Sequence, residues 1–231
     1  NLSDSTPQVN RIFTESLQSY LKRHDSGNRS CSSFVIKYGL SLIGINTNKT
    51  HQEILKDKTI KLFPEGQEKM NKYYEDSIYA EKKMWPYNFV PLHQTINIGG
   101  IYLSLDKLVH FEGSGILYYM IYLKEMKRSG NVELAHTKAV KMGIWEENFI
   151  FGKWGSGVFS YGDLEANYQG MLFFRDMCEG DRPLLKRNIQ GRFEMAHAGR
   201  RGLLETALDR ARSYLLRVVQ TFSGKGQNPS R

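Results

Sequence analysis

Cysteine is nearly absent: the 231-residue chain holds only Cys31 and Cys178. That excludes a disulfide-dense scaffold and the paired-cysteine ligand sets of structural zinc sites. Two readings of the pair stay open. In an exported protein they could close one long loop; in the cytosol they would be buried thiols. Long apolar runs are lacking too. The nearest, Gly113 to Leu123, falls short of the roughly eighteen residues that a membrane helix needs, so no membrane span is expected. There is no internal repeat and no low-complexity tract. The phosphate-loop pattern G-x-x-x-x-G-K-[ST], the nucleophile elbow G-x-S-x-G and the zinc motif H-E-x-x-H are all missing. Zinc-finger spacing and RNA-binding aromatic signatures are absent, so no nucleic-acid partner is expected.

Charge is present in quantity but unevenly placed. From Arg182 onward there are eleven Lys/Arg and three Asp/Glu, a surplus of eight. The first 181 residues therefore balance, with 21 basic and 21 acidic side chains. A neutral body with a basic tail favours polyanions such as an anionic cell wall, or the tail is a solvated helix face. The first residue, Asn1, is compatible with a removed N-terminal signal or a trimmed start.

Helical periodicity dominates. Val9, Ile12, Phe13, Leu17 and Leu21 predict a first amphipathic helix over 7–23. Further helices are expected over 34–45, where a strand is the alternative, and over 52–61, 67–84, 103–126 and 131–142, the last continuing or restarting through 144–151. Residues 85–100, with Pro86, Pro91, Gly99 and Gly100, read as a long loop. The Gly-rich segment 153–162 reads as a hairpin. Ser160 or Asp163 then caps a helix running to about Met177, in a capping-box variant. Leu204, Leu208, Ala211, Leu215, Val218 and Phe222 predict a closing amphipathic helix over 200–222. The expected fold class is mainly α: one helical domain over 1–231 with a small Gly-rich β-hairpin and a basic helical segment over 182–231.

The residue that invites chemistry first is Glu112. Leu105, Leu108, Val109, Phe111, Ile116 and Leu117 surround it, and Gly113-Ser114-Gly115 remove bulk beside it. An apolar setting raises a carboxyl pKa and keeps it protonated, as a general acid in glycoside cleavage requires. Asp106 and His110, four apart, share a helix face, whereas Glu112 points about 160° from His110 at 3.6 residues per turn. Asp163 is the second carboxylate. It could position water, steady an oxocarbenium-like charge or cap a helix. Ser160, Tyr161, Asn167 and Gln169 could hydrogen-bond a glycan. Trp145, Trp154 and Tyr161 could stack on sugar rings or pack in the core. Glu146 and Glu147 are further candidate acids, of which one at most would enter a given cleft. Asp106 with His110 is too small a set to argue a metal, and none is expected; no cofactor is expected either.

Two resemblances meet at these residues. Asp106-Lys107-x-x-His110-Phe111, then Phe159-Ser160-x-x-Asp163-x-x-Ala166-Asn167-x-x-Gly170, resembles a pattern of VanZ-like and YfiM-like bacterial envelope proteins. Glu112 departs from it, standing where that family has a membrane helix. Glu112 on an apolar helix, followed by small residues and then by Gly157-Val158-Phe159-Ser160, resembles the lysozyme superfamily, the latter run being similar to a strand motif of goose-type lysozymes and lytic transglycosylases. The chain is most like the lysozymes of predatory bacteria that act on deacetylated peptidoglycan. That resemblance implies a lysozyme-like fold and an exported, periplasmic or secreted muramidase, a monomer acting on peptidoglycan glycan strands. Glu112 and Asp163 would be catalytic, and Ser160, Tyr161, Asn167, Trp154 and His110 would bind substrate. The envelope-protein resemblance implies instead a non-enzymatic role, with Asp106, His110 and Asp163 as a polar network joining two helices.

Overall fold

A computed structural model describes residues 2–24, 27, 29–44, 48–76, 93–149, 158–180 and 183–196. The predicted helix over 200–222, Trp154 and the Gly155-Ser156-Gly157 part of the Gly-rich segment lie outside the described residues. The fold is mainly helical, with small antiparallel hairpins.

Four helices come first: α1 (Thr6–Arg23), α2 (Cys31–Leu42), α3 (Lys49–Lys56) and α4 (Gln67–Glu75). The apolar stripe of α1 is buried through Val9, Ile12, Phe13 and Leu17, as its periodicity requires. Ser30 starts α2 three residues earlier than expected, because its hydroxyl accepts from Ser33 N and satisfies an orphan N–H of the first turn.

The segment expected to be a loop up to Gly100 contains a strand. β1 (Thr95–Ile98) pairs antiparallel with β2 (Ile101–Ser104) across Gly99-Gly100. Both turn residues have positive φ, 59° and 85°, the two-residue geometry whose twist matches a hairpin and which glycine adopts without strain. The hairpin therefore sits here. In the segment where it was expected, residues 158–160 form no strand and Tyr161 opens a helix.

The long helix α5 (Leu105–Ser129) is the centre of the molecule, followed by α6 (Val132–Phe149) and α7 (Tyr161–Asp176). α6 runs unbroken where a restart at Ile144 was an option. Phe13, Phe111 and Phe173 meet edge-on or tilted at 5.2–6.1 Å, joining α1, α5 and α7 in one core. α5 and α7 touch backbone to backbone at Gly115 and Gly170. A Cβ on Gly170 would lie 1.8 Å from the Phe111 carbonyl oxygen. Gly170→Ala should therefore wedge the helices apart and lower the unfolding free energy by about 2 kcal/mol or more. A urea midpoint equal to the parent's would show that the contact is looser than described.

The described part of the expected basic helical segment, 183–196, is not helical. It forms a second hairpin, β3 (Leu185–Arg187) with β4 (Phe193–Met195). Asn188 Oδ1 accepts from the backbone N–H of Gln190 and Arg192, and Gly191 takes a φ of 76°, so local turn chemistry overrides the helical reading. Cys31, at the start of α2, and Cys178, just beyond α7, are joined in a disulfide spanning 147 positions.

Candidate functional site

The residues singled out in the sequence separate into two places on opposite sides of α5. Glu112 faces α3. It has no solvent exposure, and Thr50 Oγ1 donates to its Oε1. The Asn48 amide beside it donates to Val109 O. Oε2 is buried without a hydrogen-bond partner. Burial pushes the Glu112 carboxyl up to about 7, against the pull of Thr50 and Asn48. A groove of about 600 Å³ passes over this region between α1 and α3, lined by Arg11, Ser16, Lys49, Thr50 and Glu53 among others. Thr50 belongs to its floor and Glu112 does not.

The second place is a polar cluster between the start of α5, the end of α6 and the start of α7. Ser160 caps α7: its Oγ accepts from Asp163 N at 3.2 Å. That leaves the Asp163 carboxylate free of a capping role. Lys107 Nζ instead donates to Asp163 Oδ1 and, at 2.7 Å, to Asp106 Oδ2. His110 Nε2 lies 3.5 Å from Asp163 Oδ2, and His110 Nδ1 is 3.2 Å from Asn167 Oδ1. Asn167 Nδ2 donates to the Tyr118 hydroxyl at 3.3 Å, so Nδ1 of His110 must be the donor to Asn167. The approach of Nε2 to Asp163 is then attractive when the ring carries its second proton.

Glu147 completes the cluster from α6. It is 1% exposed, and its Oε2 accepts from Ser160 N at 3.1 Å. Burial raises its pKa and the Asp163 charge adds to this, while the Ser160 N–H, His110 and Lys107 pull the other way. Asp106 goes in the opposite direction. Burial would raise it, but Lys107, the Ser104 hydroxyl and His110 hold it below the usual carboxylate range. Lys107, although desolvated, is held above the ordinary lysine value by its two carboxylates. Behind Asp106 lie His93 and His51, with ring centroids 5.0 Å apart. Burial lowers both, and His51 falls to about 4, so both rings are neutral near pH 7.

The cluster thus holds a buried carboxyl whose pKa is raised and an ion-paired carboxylate on either side of one backbone turn. A raised carboxyl beside an ion-paired one suits a proton donor and a charge stabiliser. Asp106, His110 and Asp163 each offer one ligand atom, all within 4.8 Å of one another, the minimum for holding a cation. The Lys107 ammonium already bridges the two carboxylates of that set.

Of the expected site residues, Asp163, Ser160, Asn167 and His110 come together. Tyr161 stands at the rim, 80% exposed and edge-on to Phe159 at 5.1 Å. Gln169 is turned away, donating to Glu165 within its own helix. Lys107 and Tyr118 were missed as site members, and so were His51 and His93. Lys107 adjoins Asp106, but its second partner is 56 positions away, and no local pattern announces it. Glu147 carried a signal, an acid near a helix end before a Gly-rich segment, without anything to rank it above Glu112. Comparisons with known protein families, with curated proteins and with solved structures yield no match to this chain.

Proposed function

We propose that this chain is an exported, lysozyme-like glycosidase that cleaves peptidoglycan, with the polar cluster of α5, α6 and α7 as its catalytic centre. The observation that carries the proposal is the arrangement of Glu147 and Asp163 about Ser160. Glu147, whose pKa burial raises, donates a proton to the glycosidic oxygen as the C–O bond breaks, and water then adds to the anomeric carbon and returns a proton to Glu147. Asp163, with Lys107 and His110 beside it, faces the positive charge that develops on the sugar. Ser160 and the exposed Tyr161 supply polar contacts, while the buried Asn167 holds the His110 ring beside Asp163. The resemblance noted above supports N-deacetylated glycan as the substrate: its free amines are cationic, and a site rich in carboxylates favours them. The disulfide supports an oxidising, exported setting. Glu147 is preferred to Glu112 in this reading because it meets the same backbone turn as Asp163, whereas Glu112 lies on the other side of α5 under Thr50.

One observation favours a second reading. Lys107 bridges Asp106 and Asp163, and His110, Asn167 and Tyr118 bond one another in series. A network so paired would also serve a non-enzymatic envelope protein by locking α5 to α7. The deciding experiment is muropeptide release, read by mass, from acetylated and deacetylated peptidoglycan. Glu147→Gln keeps the acceptor for Ser160 N and loses the proton, so release should fall by about a hundredfold or more. Glu112→Gln should remain active. The reverse pattern would return the role of acid to Glu112. No release by the parent chain from either wall would leave the envelope-protein reading.

A further inference from the structure

The candidate site leaves the outer side of α5 and α6 unexplained. On α6, Lys138, Lys141, Met142, Trp145 and Phe149 are all exposed. At 100° per residue they fall within an arc of about 100°. Trp145 and Phe149 are 47% and 54% exposed, and their rings pack together at 5.9 Å. On α5, Leu117, Met120, Lys124 and Lys127 are exposed and share an arc of about 80°. The two helices are antiparallel across Gly130, and the Tyr118 hydroxyl occupies the space beside Gly143. Counting from this level, Leu117 and Met120 stand level with residues 141–144 of α6, Lys124 with Lys138, and Lys127 one turn further along.

The hairpin therefore carries an apolar, aromatic half and a basic half. Acidic charge is scarce on it. Glu146 and Glu147 are buried, Glu125 is tied to Arg128, and Glu133 is the exposed carboxylate of α6. An apolar patch rimmed with lysine and ending in Trp and Phe is complementary to an anionic lipid surface. Lysine stems reach back to headgroups while aromatic rings settle at the acyl boundary. Neither helix is long and apolar enough to cross a membrane.

We infer that the outer face of the α5–α6 hairpin docks on anionic phospholipid, with Trp145 and Phe149 entering the interface and Lys138 and Lys141 on the headgroups. This stands apart from the glycosidase reading, since none of these side chains belongs to the polar cluster. The test is sedimentation of the full chain with vesicles of phosphatidylcholine alone or mixed with phosphatidylglycerol. Partitioning should be about tenfold or more stronger on the anionic vesicles. Trp145→Ala with Phe149→Ala should weaken it by about tenfold or more on both. Lys138→Glu with Lys141→Glu should abolish the anionic preference. All four positions are exposed, so circular dichroism and the thermal midpoint should stay at the parent's values. Three results would overturn the inference. The first is no sedimentation with lipid. The second is sedimentation unaffected by the aromatic pair, which would assign it to the basic residues beyond Arg182. The third is a dimer in solution that dissolves when Trp145 and Phe149 are removed, which would make this face a contact between two copies.

Discussion

Replacing Cys31 and Cys178 together by alanine is expected to lower the unfolding free energy by about 5 kcal/mol. The bridge closes a loop of 147 positions, and the lost chain entropy of the unfolded state grows with the logarithm of that length. The bridge also fastens the first turn of α2 to the end of α7, which frame the core at Phe34 and Phe174. A loss of this size matches the whole stability of many domains, about 5–15 kcal/mol. The reduced chain should thus be marginal at 37 °C, and export through a reducing compartment without oxidation should yield little folded protein. Urea titration of the parent, with and without reductant, measures the effect. A difference below about 1 kcal/mol, or two thiols titratable in the native oxidised chain, would refute the bridge's role.

The second large effect comes from Glu112. Its folded pKa of about 7 lies above the ordinary carboxyl value of 4.5, so the native state binds a proton that the unfolded state has released between those two pH values. Stability must then fall as pH rises through this window, by about 1.4 kcal/mol per unit of pKa difference and roughly 3 kcal/mol in all. Below pH 4.5 both states are protonated and the penalty vanishes. Glu112→Gln keeps an acceptor for Thr50 and carries no charge at any pH. The variant should match the parent near pH 4 and exceed it by about 3 kcal/mol at pH 8. Glu146, Glu147 and Glu165, also raised by burial, tilt both curves alike, so the difference curve isolates Glu112. A difference independent of pH would mean that Glu112 is ionised in the folded chain. If muropeptide release survives Glu112→Gln while stability at pH 8 improves, the buried acid carries a cost to the fold and no chemistry.

The helices were legible because their apolar positions recur with the helical period over many turns, as in α1 and α5. The start of α7 was legible too, as a cap by Ser160 or Asp163, and the structure gives the cap to Ser160. The β1–β2 hairpin was written plainly in Thr-Ile-Asn-Ile-Gly-Gly-Ile-Tyr-Leu-Ser over 95–104, but prolines upstream drew the whole stretch into a loop. At 183–196 the basic composition suggested helix, and the Asn188–Gly191 turn decided otherwise. Charge is a weak guide there, because lysine and arginine are as content on an exposed strand as on a helix.

The sequence by itself determined that the chain is mainly helical, that Glu112 stands in an apolar run, and that Glu112 and His110 point to different sides of one helix. These follow from local spacing, which backbone geometry turns into direction. Only the tertiary structure decided what stands on each side. It set Thr50 over Glu112, drew Lys107 between Asp106 and Asp163, and brought Glu147 to the backbone of Ser160. Those partners are 13 to 62 positions apart, apart from the adjacent Lys107–Asp106 pair. Which of them meet depends on how α3, α6 and α7 pack around α5, and that depends on shape complementarity such as the Gly115–Gly170 contact, which no local pattern encodes.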